Sequence, residues 1–313
     1  MTMTSGQTMQ WLCTALSLFV AVGAAAAEPK LLESRQVTPP GEYTSGIEGP
    51  AVDRDGNLFV VNLGKPGTIG KLPAGGSHSE KFADLPQGSV GNAIRFDRTG
   101  TMLIADYKKH NIFAIRKGST APEVLFHSDL MHQPNDLTVA GDGTIYASDP
   151  NWKGRNGQIW RISTAADGRV HGDVMLAPRA MGTTNGIDLS PDDQTLYVTE
   201  SNSGQLWAYS IRGNDLTSPR LLKTFEADTV DGVRADVDGK LLIARIGKGL
   251  ITVMKPDGTP QQDVVLRGSE PTNLAFGGSD GRTVFVTQRQ GRFIEAFRTD
   301  RAGREYCVQR AGC

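Results

Sequence analysis

One sequence phrase occurs six times along this chain of 313 residues. Each copy begins with a polar residue, continues through a short apolar stretch, turns at Asp, Gly or Asn residues, and ends in a second apolar stretch. The residues that open the copies are 42 to 50 positions apart and are Glu48, Asn92, Asn135, Asn185, Asp231 and Asn273. A period of this length, carried by short strands and turns, is typical of the blades of a β-propeller.

Short apolar runs between the copies predict the other strands of each blade. Residues 112–115, 158–162 and 250–254 follow their copies by a turn, as a third strand would, and residues 123–126 and 221–225 supply a fourth. Four strands in each of six repeats predict an all-β protein, a six-bladed β-propeller with four-stranded blades. Because such an array closes on itself, residues 28–313 are predicted to form a single propeller domain.

The first 27 residues differ in composition from the rest of the chain. An apolar run at 11–23 precedes three alanines at 25–27, a pattern that fits a cleaved signal peptide, although residues 1–10 lack the usual Lys or Arg. A membrane anchor or a misassigned start is the alternative, but the run is shorter than the roughly 20 residues that a span needs. We predict that residues 1–27 are a signal peptide and that the protein is periplasmic or secreted, free of the membrane after leader removal.

Three cysteines leave two interpretations open. Cys13 lies within the leader, so Cys307 and Cys313 remain as a pair near the C-terminus. In an oxidising compartment they could form a disulfide bond that pins the terminal segment, or they could be free thiols on the tail. Their spacing does not match a zinc site.

The charge balance argues against large anionic partners. The chain has 33 Lys and Arg residues against 34 Asp and Glu residues, a net charge of -1, and no basic block. Binding to nucleic acid or to an anionic membrane surface is therefore not predicted, and a small-molecule ligand is favoured. Nothing in the sequence indicates the oligomeric state.

Every residue that opens a repeat carries a side-chain oxygen. Each one precedes the innermost strand of its blade, which lines the central channel, so we expect the six to ring one mouth of it. Carboxylates and amides crowded in a narrow channel are unfavourable unless a cation lies among them, and Ca²⁺ binds oxygens of this kind. Any single copy could instead be a turn residue that caps its own backbone, but six in register favour a metal site.

Four short motifs resemble the metal-site pattern of the regucalcin (senescence marker protein)/gluconolactonase family. They are Glu48-Gly49-Pro50, Pro134-Asn135-Asp136, Asn185-Gly186-Ile187 and Val230-Asp231-Gly232. The resemblance covers residues 45–297 and is more distant to diisopropyl fluorophosphatase and the paraoxonases. It implies a six-bladed propeller that hydrolyses lactones with one divalent cation, with Ca²⁺ favoured over Zn²⁺, Mn²⁺ and Mg²⁺. Paraoxonases carry an additional Asn after the Asp, where this chain has Gly232, so the paraoxonase likeness is the weaker one.

The resemblance also implies roles for single residues. Glu48, Asn185 and Asp231 match the family's metal ligands. Asn135 matches an amide that binds the metal in the phosphatase and paraoxonase relatives and lies near the substrate in lactonases, so it is predicted for both metal and substrate. Asn92 and Asn273 fall outside the ligand set and are expected beside it.

Asp231 is the predicted catalytic residue. As both ligand and proton acceptor it would activate water as a general base, and direct nucleophilic attack by its carboxylate is the alternative. His132 and Trp152 are predicted substrate contacts, Trp152 by stacking on a sugar ring. A surface histidine and an ordinary packing tryptophan are the plainer interpretations of these two residues.

The function predicted from these features is that of a divalent-metal-dependent hydrolase that opens a sugar lactone, with a small-molecule lactone or ester as substrate. A different class of function stays open, because the propeller fold does not dictate activity. In that alternative the protein is an exported propeller without catalytic activity that binds a ligand or another protein.

Overall fold

The computed structural model of the chain describes residues 1–3, 30–175, 181–226 and 229–312. The predicted signal peptide lies outside these ranges apart from its first three residues, so the leader and the export that it implies stay predictions. Among the helices of the described ranges, none has the length and apolar character required to cross a bilayer.

The strands of the described residues form six four-stranded antiparallel sheets, which confirms the predicted six-bladed, all-β propeller. A short strand, β1 (Arg35–Gln36), precedes the first blade. Blade one contains β2 (Tyr43–Val52), β3 (Leu58–Leu63), β4 (Thr68–Leu72) and β5 (Glu80–Asp84), and blade two contains β6 (Gly91–Phe96), β7 (Met102–Asp106), β8 (Asn111–Ile115) and β9 (Glu123–His127). Blade three contains β10 (Leu137–Val139), β11 (Ile145–Asn151), β12 (Asn156–Thr164) and β13 (Val170–Val174). Blade four contains β14 (Thr184–Leu189), β15 (Thr195–Glu200), β16 (Gln205–Arg212) and β17 (Asp215–Thr224). Blade five contains β18 (Thr229–Ala235), β19 (Leu241–Ile246), β20 (Leu250–Met254) and β21 (Pro260–Val265), and blade six contains β22 (Pro271–Gly277), β23 (Thr283–Gln288) and β24 (Phe293–Arg298).

The outermost strand of the sixth blade comes from the other end of the chain. β1 pairs antiparallel with β24, Arg35 opposite Ala296, and the Val37 N–H donates to the Ile294 carbonyl at 2.8 Å. The sequence pattern did not reveal this strand, since a two-residue strand has no periodicity. Its hydrogen bonds tie the first blade to the last and close the ring.

Tight turns join the two inner strands of the blades, as predicted from the Asp, Gly and Asn residues in the middle of each sequence repeat. Gly143 and Gly239 follow Asp142 and Asp238 and have φ angles of +92° and +83°, a region that a Cβ atom disfavours. Beyond the turns, the inner strands are buried on both faces, because each blade packs its apolar residues against the next. Between blades one and two, for example, Val61 and Ile69 pack with Ile94 and Ile104.

A short helix, α1 (Arg304–Gln309), covers the end of the channel opposite the mouth. Its Arg304 donates to the carbonyls of Val139 and Ser190, each at 3.0 Å, and Gln309 donates to the Val52 carbonyl at 3.0 Å. The helix thereby contacts the lower ends of three blades. Six residues are too few for a helical period, so the sequence did not predict it.

Cys307 of α1 is disulfide-bonded, so the free-thiol interpretation does not hold for this residue. The chain contains two other cysteines, Cys13 and Cys313, and both lie outside the described residues.

Candidate metal and active site

The mouth of the central channel is a cavity of about 300 Å³. Five of the six residues that open the sequence repeats meet in its wall. The cavity is lined by Ser45, Gly46, Ile47, Glu48, Asn92, Tyr107, Asn135, Trp152, Asn185, Ser201, Thr229, Asp231, Ile246 and Arg289.

Irregular strand pairing directs the opening residues into this cavity. In blade four the register between β14 and β15 shifts between Thr184 and Ile187, and Asn185 lies in the shifted segment. Blade five has the same feature between Val230 and Val233, around Asp231. Bulges of this kind kink a strand and re-aim its side chains, so the opening residues face the channel axis instead of following the pleat of the sheet.

Glycines that follow the opening residues allow neighbouring blades to approach closely. A Cβ added to Gly186 would lie 2.3 Å from the Asp231 carbonyl oxygen, and one added to Gly232 would lie 2.3 Å from Oδ1 of Asn273. Each glycine therefore packs against the opening residue of the next blade, which holds successive opening residues together in one ring. This packing also explains why a side chain is excluded at position 232.

Three oxygen atoms in the cavity wall are buried without a hydrogen-bond donor. Among the described residues, Oδ1 of Asn135, Asn185 and Asp231 has no partner. Glu48 lies with them, 7% exposed, and its Oε2 accepts the Gly49 N–H at 2.7 Å. Unpaired buried oxygens are costly, and their convergence fits a site that binds a cation. We call Glu48, Asn135, Asn185 and Asp231 the mouth site.

The Asn185 amide is held with its oxygen free. Its Nδ2 donates to Oγ of Ser201 at 2.8 Å, and the Ser201 hydroxyl donates to the Val230 carbonyl at 2.7 Å. The first of these hydrogen bonds uses the amide nitrogen of Asn185, so its carbonyl oxygen remains available to a ligand. Because Val230 precedes Asp231 in the chain, the same contacts connect two residues of the mouth site.

The two carboxylates of the mouth site hold protons more tightly than usual. Burial raises the pKa of Glu48 to about 7, and the charge of Asp136 adds to the effect. Burial also raises the pKa of Asp231 well above its ordinary value, with a further increase from repulsion by Glu48. Arg289 opposes both shifts. Bringing a cation between the carboxylates would favour their ionised forms.

The donor set fits a hard divalent cation. The mouth site offers two carboxylates and two amide oxygens, the ligand type that Ca²⁺ and Mg²⁺ prefer. Within the described ranges, no group of three or more His, Cys, Asp or Glu side chains is placed to hold a metal. A cation here would therefore depend on asparagine oxygens as well as on Glu48 and Asp231.

The remaining predicted site residues divide between the cavity and its surroundings. Asn92 and Trp152 line the cavity, and Nδ2 of Asn92 donates to the Asn135 carbonyl at 3.3 Å. Asn273 is 1% exposed and lies outside the cavity wall, where its Oδ1 accepts from Arg234 at 2.9 Å. His132 is exposed and outside the wall, and its backbone N–H donates to Asp149 at 2.9 Å. Substrate contact by His132 stays a prediction without geometric support.

Sequence reasoning missed three residues of the wall that carry chemistry. Arg289 directly follows β23, Tyr107 directly follows β7, and Ser201 directly follows β15. All three lie after the second strand of a blade, at the same end as the opening residues. Their shared position relative to the repeats was the available signal.

A second polar cluster fills the channel below the mouth site. Asp136, fully buried, accepts from Nη2 of Arg95 at 2.8 Å and from both Nη atoms of Arg234 at 2.9 and 3.0 Å. Glu305 of α1 lies 3.7 Å from Nε of Arg95. We call Arg95, Asp136, Arg234 and Glu305 the channel cluster.

Comparison with known proteins identifies a matching family model and similar proteins of known name. The family model described as "SMP-30/Gluconolactonase/LRE-like region" matches residues 46–290. Gluconolactonase of Zymomonas mobilis is 26% identical over 280 residues, covering 77% of this chain and 75% of that protein. Diisopropyl-fluorophosphatase of Loligo vulgaris is 24% identical over 295 residues, covering 85% of this chain and 93% of that protein.

Solved structures confirm the fold. A gluconolactonase from Xanthomonas campestris superposes with a TM-score of 0.70 at 20% identity, covering 86% of this chain and 88% of that one. A calcium-binding protein, regucalcin, from Agrobacterium tumefaciens gives a TM-score of 0.68 at 20% identity, covering 86% and 97%. At this identity the likeness supports the architecture alone.

Proposed function

Because this chain belongs to the SMP-30/gluconolactonase/LRE-like family, we propose that it is a divalent-metal-dependent hydrolase of sugar lactones. The observation that carries the proposal is the set of three buried, unpaired oxygens on Asn135, Asn185 and Asp231 beside the Glu48 carboxylate. Their convergence at the open end of the channel supports a metal-assisted reaction on a small molecule.

The mouth site would hold the cation. Glu48 and Asp231 supply negative charge, Asn185 supplies an oxygen oriented by Ser201, and Asn135 supplies a second amide oxygen. We favour Ca²⁺ because all the donors are oxygens, with Mg²⁺, Mn²⁺ and Zn²⁺ as alternatives. A bound divalent cation supplies Lewis-acid stabilisation of the negative charge that develops on the lactone carbonyl oxygen.

Asp231 would accept the proton of the attacking water and later return it. In its ionised form the carboxylate accepts a proton as the water oxygen bonds to the carbonyl carbon, and it returns that proton to the ring oxygen when the C–O bond of the lactone breaks. Direct attack by the carboxylate, followed by hydrolysis of the acyl intermediate, is the second route. Both routes place the reacting carbon beside Asp231.

The wall above the mouth site would position the lactone. Trp152 and Tyr107, from adjacent blades three and two, present aromatic rings on one side of the cavity. Aromatic faces suit the apolar face of a sugar ring and exclude water from it. The cavity of about 300 Å³ has the size expected for a small ligand. We also propose export to the periplasm or the medium, on the leader-like residues 1–27.

Metal removal and restoration test this proposal. The protein is treated with EDTA, and hydrolysis of several sugar and aliphatic lactones is followed at constant pH with and without added Ca²⁺, Mg²⁺, Mn²⁺ or Zn²⁺. We expect activity to disappear with EDTA and to return with at least one of these ions. Metal binding without hydrolysis of any lactone would reject the enzyme and support a binding propeller instead.

A further inference from the structure

The cavity above the mouth site contains a single basic side chain. Of its fourteen lining residues, all within the described ranges, three are charged: Glu48, Asp231 and Arg289. Arg289 lowers the pKa of both carboxylates, so its positive charge acts across the cavity. Since Glu48 and Asp231 would together balance one bound divalent cation, the charge of Arg289 would be left without a counter-charge.

Arg289 is fixed at its backbone and free at its guanidinium. Its N–H donates to the Glu270 carbonyl at 2.9 Å, and the next residue, Gln290, accepts from the N–H and the hydroxyl of Ser269 at 3.0 and 2.8 Å. The side chain is exposed and forms no salt bridge with a carboxylate of the described residues. A guanidinium whose N–H donors are available is suited to bidentate hydrogen bonding with an anionic group.

Arg289 lies across the cavity from Trp152. It follows the second strand of blade six, whereas Trp152 follows the second strand of blade three. In a closed ring of six blades these two lie opposite each other. A lactone ring placed against Trp152 therefore projects its far substituent toward Arg289.

We infer that the preferred substrate is a sugar lactone with an anionic substituent, bound through that substituent by Arg289. The inference rests on the proposed lactonase function and names its substrate class. A carboxylate on the lactone would supply the negative charge that the cavity lacks, whereas a hydroxymethyl group in its place would leave Arg289 uncompensated. Arg289 is thus a specificity-determining residue and not part of the reacting centre.

A matched pair of substrates tests the inference. D-glucaro-1,4-lactone carries a carboxylate where D-glucono-1,4-lactone carries a hydroxymethyl group. For the metal-loaded protein we expect kcat/KM to be at least about tenfold higher for the glucarolactone. Because Arg289 also acts on the pKa of Glu48 and Asp231, Arg289→Met can change the activity on both substrates, and the test is the ratio of the two kcat/KM values. Arg289→Met should lower the ratio of glucarolactone to gluconolactone by about 10- to 100-fold, and Arg289→Lys should be intermediate.

Arg292→Met is the matched control, because Arg292 is exposed on the same turn but does not line the cavity. It should behave as the unchanged protein does. Equal kcat/KM values for the two lactones, or equal losses for both in Arg289→Met, would overturn the inference and leave the lactonase function standing.

Calorimetric titration with the open-chain product, glucarate, gives a readout that does not depend on turnover. Glucarate should bind the metal-loaded protein at least about tenfold more tightly than it binds Arg289→Met. If no lactone of the tested panel is hydrolysed, the proposed function fails, and this titration alone decides the anion site. Equal affinities in the two proteins would then reject it.

Discussion

The mouth site and the channel cluster are two sets of buried polar groups in one channel, and they differ in how their charges are paired. In the channel cluster, Asp136 accepts three hydrogen bonds from Arg95 and Arg234, so its charge is compensated within the protein. In the mouth site, Glu48 and Asp231 repel each other, and nearby amide oxygens lack donors. We expect that removal of one partner from the first set would destabilise the ring of blades, whereas the second set leaves binding capacity for a ligand.

The largest effect expected at the mouth site is that of Asp231→Asn. The amide cannot accept the proton of water, so kcat should fall by about 10³-fold, within the usual range for a general base. The folded state should not suffer, because a buried carboxylate with a raised pKa is replaced by a neutral isostere. Steady-state kinetics and thermal unfolding in EDTA measure the two effects. An active Asp231→Asn protein would contradict its role.

Asp136→Asn should lower the stability of the fold, whereas Asp231→Asn should lower kcat and leave stability unchanged. It leaves Arg95 and Arg234 with less compensation for their buried charge, which costs about 3–5 kcal/mol in the free energy of unfolding. Urea denaturation measures the change. Asp142→Asn is the control, since Asp142 is exposed in a turn and should cost less than about 1 kcal/mol. A similar small cost at position 136 would show that the channel cluster is not stabilising.

The pH dependence of metal binding sharpens the comparison further. Because Glu48 has a pKa of about 7 without metal, protons compete with the cation below that pH. We expect the dissociation constant for Ca²⁺ to rise by about 10- to 100-fold from pH 8 to pH 6, with proton release on binding. Calorimetry in buffers of different ionisation enthalpy measures both. An affinity independent of pH would exclude Glu48 as a ligand.

The same pKa predicts how the metal-free fold responds to pH. The pKa of Glu48 is about 7 in the folded chain against 4.5 as its ordinary value, so its favourable contribution is complete below pH 4.5 and is lost as pH rises through 7. In EDTA, the protein should lose about 1–3 kcal/mol of stability between pH 5 and pH 8 through this group. Glu48→Gln should flatten that part of the profile, and saturating metal should reverse the loss. The same dependence of stability on pH in the unchanged protein and in Glu48→Gln would contradict this prediction.

The smallest effect is expected from Gly232→Ala. The added methyl group would lie 2.3 Å from Oδ1 of Asn273, so the blade must shift and carry Asp231 with it. We expect the affinity for metal to fall by about three- to tenfold. In Gly143→Ala, no atom lies within 4 Å of the added Cβ, and only the φ of +92° is strained. That variant should lose stability without losing metal affinity. Equal metal affinities in both variants would show that the close packing does not set the site.

Much of the site could be read from the repeat, because a residue at one position of every blade must return to one mouth of the channel. Glu48, Asn92, Asn135, Asn185 and Asp231 all line the cavity for that reason. Asn273 occupies the same repeat position, but its side chain is hydrogen-bonded to Arg234 and Asp136. Its orientation therefore depends on residues that are distant in the sequence. His132 was predicted to contact the substrate because it is near Asn135 in the sequence, but nearness along a turn does not determine the direction of a side chain.

The amino-acid sequence by itself determined the number of blades, the strands within them and the residue types at the mouth, since all of these follow from local periodicity and turn chemistry. The tertiary structure alone decided which oxygens remain unpaired, how the N-terminal strand and α1 complete the ring, and where Arg289 stands. Those features depend on contacts between blades. Such contacts join residues tens to hundreds of positions apart, and no local pattern records them.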